Sequence, residues 1–196
     1  LSKTLEGDIS NKKINLINSI IKNNDLYLIF IHIKEKRMFN KSWIFVPDEE
    51  ISFHRISEQA AFDGNMINKG SVVMCEIMNS AERNFSNLTD KGLLSLVIND
   101  LKKMKMKFTL LDFKVVKLNN SYPVYKKNYK HNLDKIINYL DEFKNFKSIG
   151  RQGSFNYIGT LDCMDIGYGF AEWLLHKEKR SWNIERERTS YYPVLD

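Results

Sequence analysis

The chain has 196 residues, 43% of them hydrophobic, with twelve Phe, nine Tyr and three Trp, enough to close a full core and to exclude a disordered tail. Its formal charge of +6 is interleaved with acidic residues almost everywhere, which reads as a solvated surface and not as a nucleic-acid footprint. Cys75 and Cys163 stand alone and the four His have no chelating spacing, so disulfide framework and metal site are both set aside in favour of a reducing, cytoplasmic compartment, and no apolar run reaches the about 18–20 residues that span a bilayer.

In chain order, residues 12–22 predict a helix, with Ile14, Ile17, Ile20 and Ile21 at helical spacing. The segments LYLIFIHI (26–33) and SWIFVP (42–47) read as strands, joined by the charged stretch 34–41 as a hairpin loop. ISFHRIS (51–57) and SVVMCEIM (71–78) add two more strands around a loop carrying Asp63-Gly64. Thr89-Asp90 offers a cap to a helix lined by Leu94, Val97, Ile98 and Leu101. The basic run 102–107 falls at its carbonyl end, where cations complement the dipole. In KFTLLDFKVVKL (107–118), Leu111, Phe113 and Val115 alternate with Asp112 and Lys114, a half-buried strand that Asn119-Asn120-Ser121 should end. YPVY (122–125) is extended, and Leu133, Ile136, Ile137 and Leu140 mark a further helix. A short strand is expected at 146–149, then a final helix, and from Arg180 a charged, solvated tail. The order predicts an α+β fold, mainly antiparallel, with an appended strand–helix unit.

The stretch IGRQGSFNYIGTLDCMDIGYGFAEWLL (149–175) departs from the ordinary. A strand ending in Gly150 would let a ligand reach the backbone, and Arg151 can fork two hydrogen bonds onto a phosphate or carboxylate. A helix starting near Leu161–Asp162 would present unpaired N–H groups and a positive dipole end. Gly167 and Gly169 each cost that helix about 1 kcal/mol relative to Ala, which implies close packing against a sheet or cofactor. Ile166, Phe170, Trp173 and Leu174 would form its apolar face. A tightly packed helix with an ordinary surface Arg is the plainer reading of the same residues.

Three segments in register resemble the FAD-dependent amine-oxidase-like superfamily, which includes protoporphyrinogen-oxidase-like proteins and UDP-galactopyranose mutases. They are Gly150-Arg151 with Phe155, Tyr157 and Asp162; WIFVPDEEISFHRISEQAAF (43–62), with Arg55, Ile56 and Glu58; and YPVYKKNY (122–129). The resemblance implies that Gly150 and Arg151 lie by the FAD pyrophosphate and ribityl chain, with Tyr157 beside them. It places the helix start at Asp162, Cys163 and Met164 on the flavin N1/O2 edge, with Thr160 or Asp165 as alternatives to Asp162. Tyr122, Tyr125 and Arg55 would face substrate, unless Arg55 instead pairs with Glu58. No catalytic acid or base is named.

The implied architecture is a substrate-binding α+β region at 1–121, a C-terminal strand–loop–helix at 122–179 that completes an FAD-binding domain, and a charged tail at 180–196. No Gly-x-Gly-x-x-Gly occurs in the sequence, so the chain is expected to be the C-terminal part of such a protein, its N-terminal flavin-binding half being its partner. The implied activity is flavin-mediated redox on a small molecule. The alternatives are a nucleotide-sugar mutase using reduced FAD and a non-catalytic binding remnant.

Overall fold

The computed structural model describes residues 11–66, 68–143, 145–176 and 181–192. Among them the helices are α1 (Asn11–Ile20), α2 (Asp90–Lys103), α3 (Tyr129–Asp141), α4 (Gly150–Gly153), α5 (Thr160–Leu175) and α6 (Trp182–Thr189). The strands are β1 (Asn23–Ile33), β2 (Trp43–Phe45), β3 (Arg55–Glu58), β4 (Ser71–Asn79) and β5 (Leu110–Pro123). The chain divides into two units, 23–122 and 1–22 with 123–196.

The first unit is one antiparallel sheet in the order β2-β3-β4-β1-β5 with α2 on one face. The period of two decides which side chains meet α2. Ile29, Ile31 and Ile33 of β1, Val73, Cys75 and Ile77 of β4, and Ile56 of β3 point inward and are fully buried. Leu93, Val97 and Leu101 recur at helical spacing on α2 and complete this core. Thr89 caps α2 by accepting from the Gly92 N–H at 3.2 Å, and Lys102 and Lys103 lie in its last turn, as the sequence predicts.

Two expectations fail in this unit. The stretch 34–41 does not close a hairpin: β1 pairs with β4 and β5, while β2 pairs with β3 at the far edge. A long strand whose inward face is wholly apolar belongs in the interior of the sheet, and the three-residue β2 with two half-exposed aromatics belongs at its rim. Nor does Asn119-Asn120-Ser121 end β5, which runs on to Pro123. Asn120 takes φ of 55°, which Asn tolerates, and its N–H is satisfied by the Asp25 carboxylate at 3.0 Å.

The second unit is helical where it is described. The expected strand at 146–149 has no partner among the described residues and is irregular, and Gly150–Gly153 is a helical turn, not a strand end. Of the residues read as a solvated tail, 180 and 193–196 lie outside the described residues, while Trp182–Thr189 form α6, whose Glu185 is buried because Arg188 neutralises it at 2.7 Å. Arg186 likewise pairs with Asp141 of α3 at 2.7 Å. Trp182 sits among Phe170 and Trp173 of α5, with ring centroids 5.7 and 4.8 Å away, so the apolar face of α5 is met by α6. Leu174, expected on that face, is half exposed.

Candidate functional site

Two places gather the residues that the sequence singles out. In the helical unit, Gly150 opens α4 with φ of 76°, a conformation that favours glycine, and a Cβ there would meet nothing within 4 Å. The backbone at this turn is open to approach. Arg151 folds back onto its own loop: Nη1 donates to the Ile158 carbonyl at 2.5 Å, and the guanidinium carbon lies 3.6 Å from the centroid of the buried Tyr157 ring. Tyr125 joins the same loop from the other side, donating to the Phe155 carbonyl at 3.2 Å and packing on Tyr129 and Phe155. Burial raises the Tyr125 hydroxyl above its ordinary pKa, which keeps it a donor.

The loop then delivers α5. Gly159 caps it in extended geometry, and the Asp162 carboxylate accepts the Gly159 N–H at 3.0 Å. Asp162 is therefore the helix's own cap. Thr160 and Leu161 are exposed, as is Met164, so no described side chain stops the start of the helix. The first-turn N–H groups of residues 160–162 have no acceptor inside the helix, whereas the Cys163 N–H donates to the Gly159 carbonyl at 3.1 Å. Cys163 is half-buried in the same turn. Asp165 is engaged elsewhere, bound to Arg188 at 2.5 Å.

The two glycines of α5 have different surroundings. A Cβ at Gly169 would stand 2.0 Å from Glu185 Oε1, so this residue makes room for the buried carboxylate of α6 and not for a sheet. A Cβ at Gly167 would meet nothing within 4 Å. Leu161, Met164, Tyr168 and Leu175 line an exposed stripe on the same helix, without cover from any described residue.

In the sheet unit, Arg55 is the centre. Its Nε and Nη2 donate to the two oxygens of Glu76 at 2.7 and 2.9 Å, a fork-to-fork pair on a carboxylate whose side chain is 2% exposed. Pairing with Glu58 is ruled out by the strand period, since residues three apart face opposite sides. Glu58 instead accepts from Arg37 Nε at 3.1 Å and from the Met38 and Phe39 N–H groups at 2.6 and 3.2 Å, pinning the loop after β1. The His54 N–H donates to the Glu76 carbonyl at 3.0 Å while Arg55 is the register partner of Glu76, so two residues oppose one, a β-bulge. The bulge lets His54 and Arg55 both lean toward Glu76, with His54 Nε2 4.0 Å from Oε2. Tyr122 meets the His54 ring edge-on, centroids 6.1 Å apart.

Arg55 and Tyr122 are thus linked within one unit, while Gly150, Arg151, Tyr157, Asp162, Cys163, Met164 and Tyr125 belong to the other. Sequence reasoning passed over Glu76 and His54. A lone carboxylate within the apolar run SVVMCEIM was the available signal, since a buried charge there requires a cation. A cavity of about 370 Å³ opens beside Arg55 on this face, walled by Trp43, Phe62, Met66 and Met74. The helical unit holds a second of about 390 Å³ between α3, the 148–156 loop and α6. Among the described residues no cluster of His, Cys, Asp and Glu could hold a metal ion, and no helix is long and apolar enough to cross a membrane.

No protein-family description and no curated protein matches the sequence. The fold does match solved structures. It is similar to reduced UDP-galactopyranose mutase over 74% of this chain and 32% of that one, with 16% identity and a TM-score of 0.61. It is also similar to a putative protoporphyrinogen oxidase from Exiguobacterium sp. 255-15 over 69% of this chain and 33% of that one, with 10% identity and a TM-score of 0.53. The chain spans about a third of the length of each. At these identities the likeness is one of fold.

Proposed function

We propose that the chain supplies the substrate-facing sheet and the flavin-closing helix of an FAD-dependent oxidoreductase. What supports this most is a single feature of the helical unit: an open glycine turn at Gly150 and the open start of α5, held to one another by Arg151 through Tyr157 and Ile158. The fold likeness to a mutase and an oxidase agrees with the resemblance carried by Gly150-Arg151, Tyr157 and Asp162.

In this reading each residue has a physical task. Gly150 lets a phosphate-bearing chain approach the backbone without steric obstruction. Arg151 is already ordered by its stack on Tyr157, so meeting an anionic group costs little further side-chain entropy. Asp162 shapes the cap, and the first-turn N–H groups of residues 160–162 offer fixed dipoles to an electron-rich ring edge, with the side chains of Cys163 and Met164 in the turn beside them. FAD, when bound, supplies the electron transfer, which no side chain can perform. Arg55 and Tyr122 of the sheet unit bind and orient substrate, while Tyr125, in the helical unit, orders the loop through the Phe155 carbonyl. The exposed stripe Leu161, Met164, Tyr168 and Leu175 is the surface that a nucleotide-binding half would cover.

A mutase acting on a nucleotide sugar is the second reading, with which the same fold likeness agrees equally. Incubation with FAD, followed by fluorescence anisotropy, tests the flavin assignment. FAD should bind weakly and saturably, and Arg151→Ala should weaken binding about tenfold. Anisotropy unchanged at millimolar protein would favour a binding module without flavin.

A further inference from the structure

We infer that the cavity beside Arg55 is built for an uncharged planar ring that hydrogen-bonds through one edge, an aryl or heteroaryl carboxamide by chemical class. The inference rests on Arg55 marking the substrate-facing side of the sheet, and it adds what that side selects.

Two cross-sheet rows carry the lining residues Trp43, Ser57, Met74, Arg55 and Glu76. Register places Trp43, Ser57, Met74 and Phe30 side by side, and next to them Phe45, Arg55, Glu76 and Leu28. All point away from α2, because the inward positions of the same strands are Ile44, Ile56, Cys75 and Ile29. Phe62 and Met66, both more than half exposed, rise beside these rows and complete the walls.

The charges of the cavity cancel. Arg55 and Glu76, its charged lining residues, satisfy each other with two short hydrogen bonds, so a dianion would find its cation already compensated. The remaining walls are two aromatic rings and two thioethers, flat and polarizable surfaces that favour a ring face.

A separate observation points to a hydrogen-bonding ligand. Ser57 is 5% exposed, and its hydroxyl has no hydrogen-bond partner among the described residues. Ser52 and Ser71 share that condition, but Ser57 is the one that lines the cavity, between Trp43 and Met74. A buried hydroxyl left unpaired is destabilising, and such groups are normally satisfied. Gln59, on the same lining, adds an amide that can donate or accept. A ring lying on Trp43 with its amide edge toward Ser57 and Gln59 would satisfy both.

The test uses the full chain without flavin, followed by two-dimensional NMR of the Trp43 indole and the Ser57 amide. Benzamide is the probe, with benzoate and cyclohexanecarboxamide as the charged and non-planar controls. Benzamide should shift both signals saturably, and each control should bind at least about fivefold more weakly. Ser57→Ala should weaken benzamide about tenfold while leaving the melting temperature unchanged or higher, because it removes an unpaired polar group. No saturable shift with benzamide, equal binding of benzoate, or a Ser57→Ala variant with unaltered affinity or a lower melting temperature would overturn the inference. Failure of FAD to bind the helical unit would leave these outcomes untouched, so the two proposals fail separately.

Discussion

Glu185 of α6 occupies the place where a side chain at Gly169 of α5 would be, its Oε1 2.0 Å from the position of the absent Cβ. Gly167, two residues earlier on the same helix, faces open space. The pair separates propensity from packing. Gly167→Ala should raise stability by about 0.5–1 kcal/mol, since only backbone entropy changes. Gly169→Ala should fall short of it by about 1–2 kcal/mol, because the new methyl displaces a buried carboxylate from its partner Arg188. Urea unfolding of both variants checks this, and equal gains would mean that the ion pair shifts freely.

Breaking the Arg55–Glu76 pair should be felt across the sheet. Glu76→Gln leaves a guanidinium that is about two-thirds buried without its counter-charge, and unfolding free energy should drop by about 2 kcal/mol, at the lower end for such pairs given the partial exposure. Arg55→Lys keeps the charge but loses the fork, and should cost about 1 kcal/mol. Denaturant midpoints for the two variants measure the difference.

Much of the sheet unit is legible because buried strands and an amphipathic helix write their periods plainly: β1, β4 and α2 lie within the apolar runs and the Leu94–Val97–Leu101 face, although Leu93, absent from that face, is buried and Ile98 is only partly so. The pairing order was not, since it depends on which strand can tolerate an edge, and β2 looked as apolar as β1. Local pattern also misled at 146–149, where apolar residues suggested a strand with no neighbour to pair with. The charged run 185–188 reads as solvated by composition, yet Glu185 is buried, because the more exposed Arg188 reaches it with a charge of opposite sign. In the helical unit, a glycine turn followed by a helix start is legible in the spacing of Gly150, Gly159 and Asp162, but the turn is helical and does not end a strand. In the sheet unit, the approach of His54 and Arg55 to Glu76 is not legible, because a bulge at the start of β3 brings them together and a bulge leaves no mark in composition.

The two thiols should behave differently. Cys75 is fully buried in the sheet core, and desolvation, with smaller contributions from Asp100 and Glu76, pushes its pKa far above the ordinary thiol range. It stays protonated and unreactive. At pH 8 an aromatic disulfide reagent should label Cys163 in the native chain and Cys75 only after unfolding. Two fast thiols in the native state would contradict the burial of β4.

Acid should loosen the contact between β1 and β5. The Asn120 N–H, and then Lys117, hold the Asp25 carboxyl below its usual value of 3.8. A depressed folded-state pKa adds stability that is present above 3.8 and lost as pH falls through the lower folded value. Melting temperatures of Asp25→Asn and the parent should therefore differ at pH 6 and converge toward pH 2. A constant difference across that range would mean that the carboxylate does not act through its charge.

The most direct test of the flavin assignment is an amide-resolved NMR titration of the chain with FAD. Saturable shifts are expected at Gly150 and Arg151 and at the amides of residues 159–164, together with a shift of the Arg151 side-chain N–H signals. FAD that perturbs no amide, or only amides remote from the Gly150 turn and the start of α5, would contradict it.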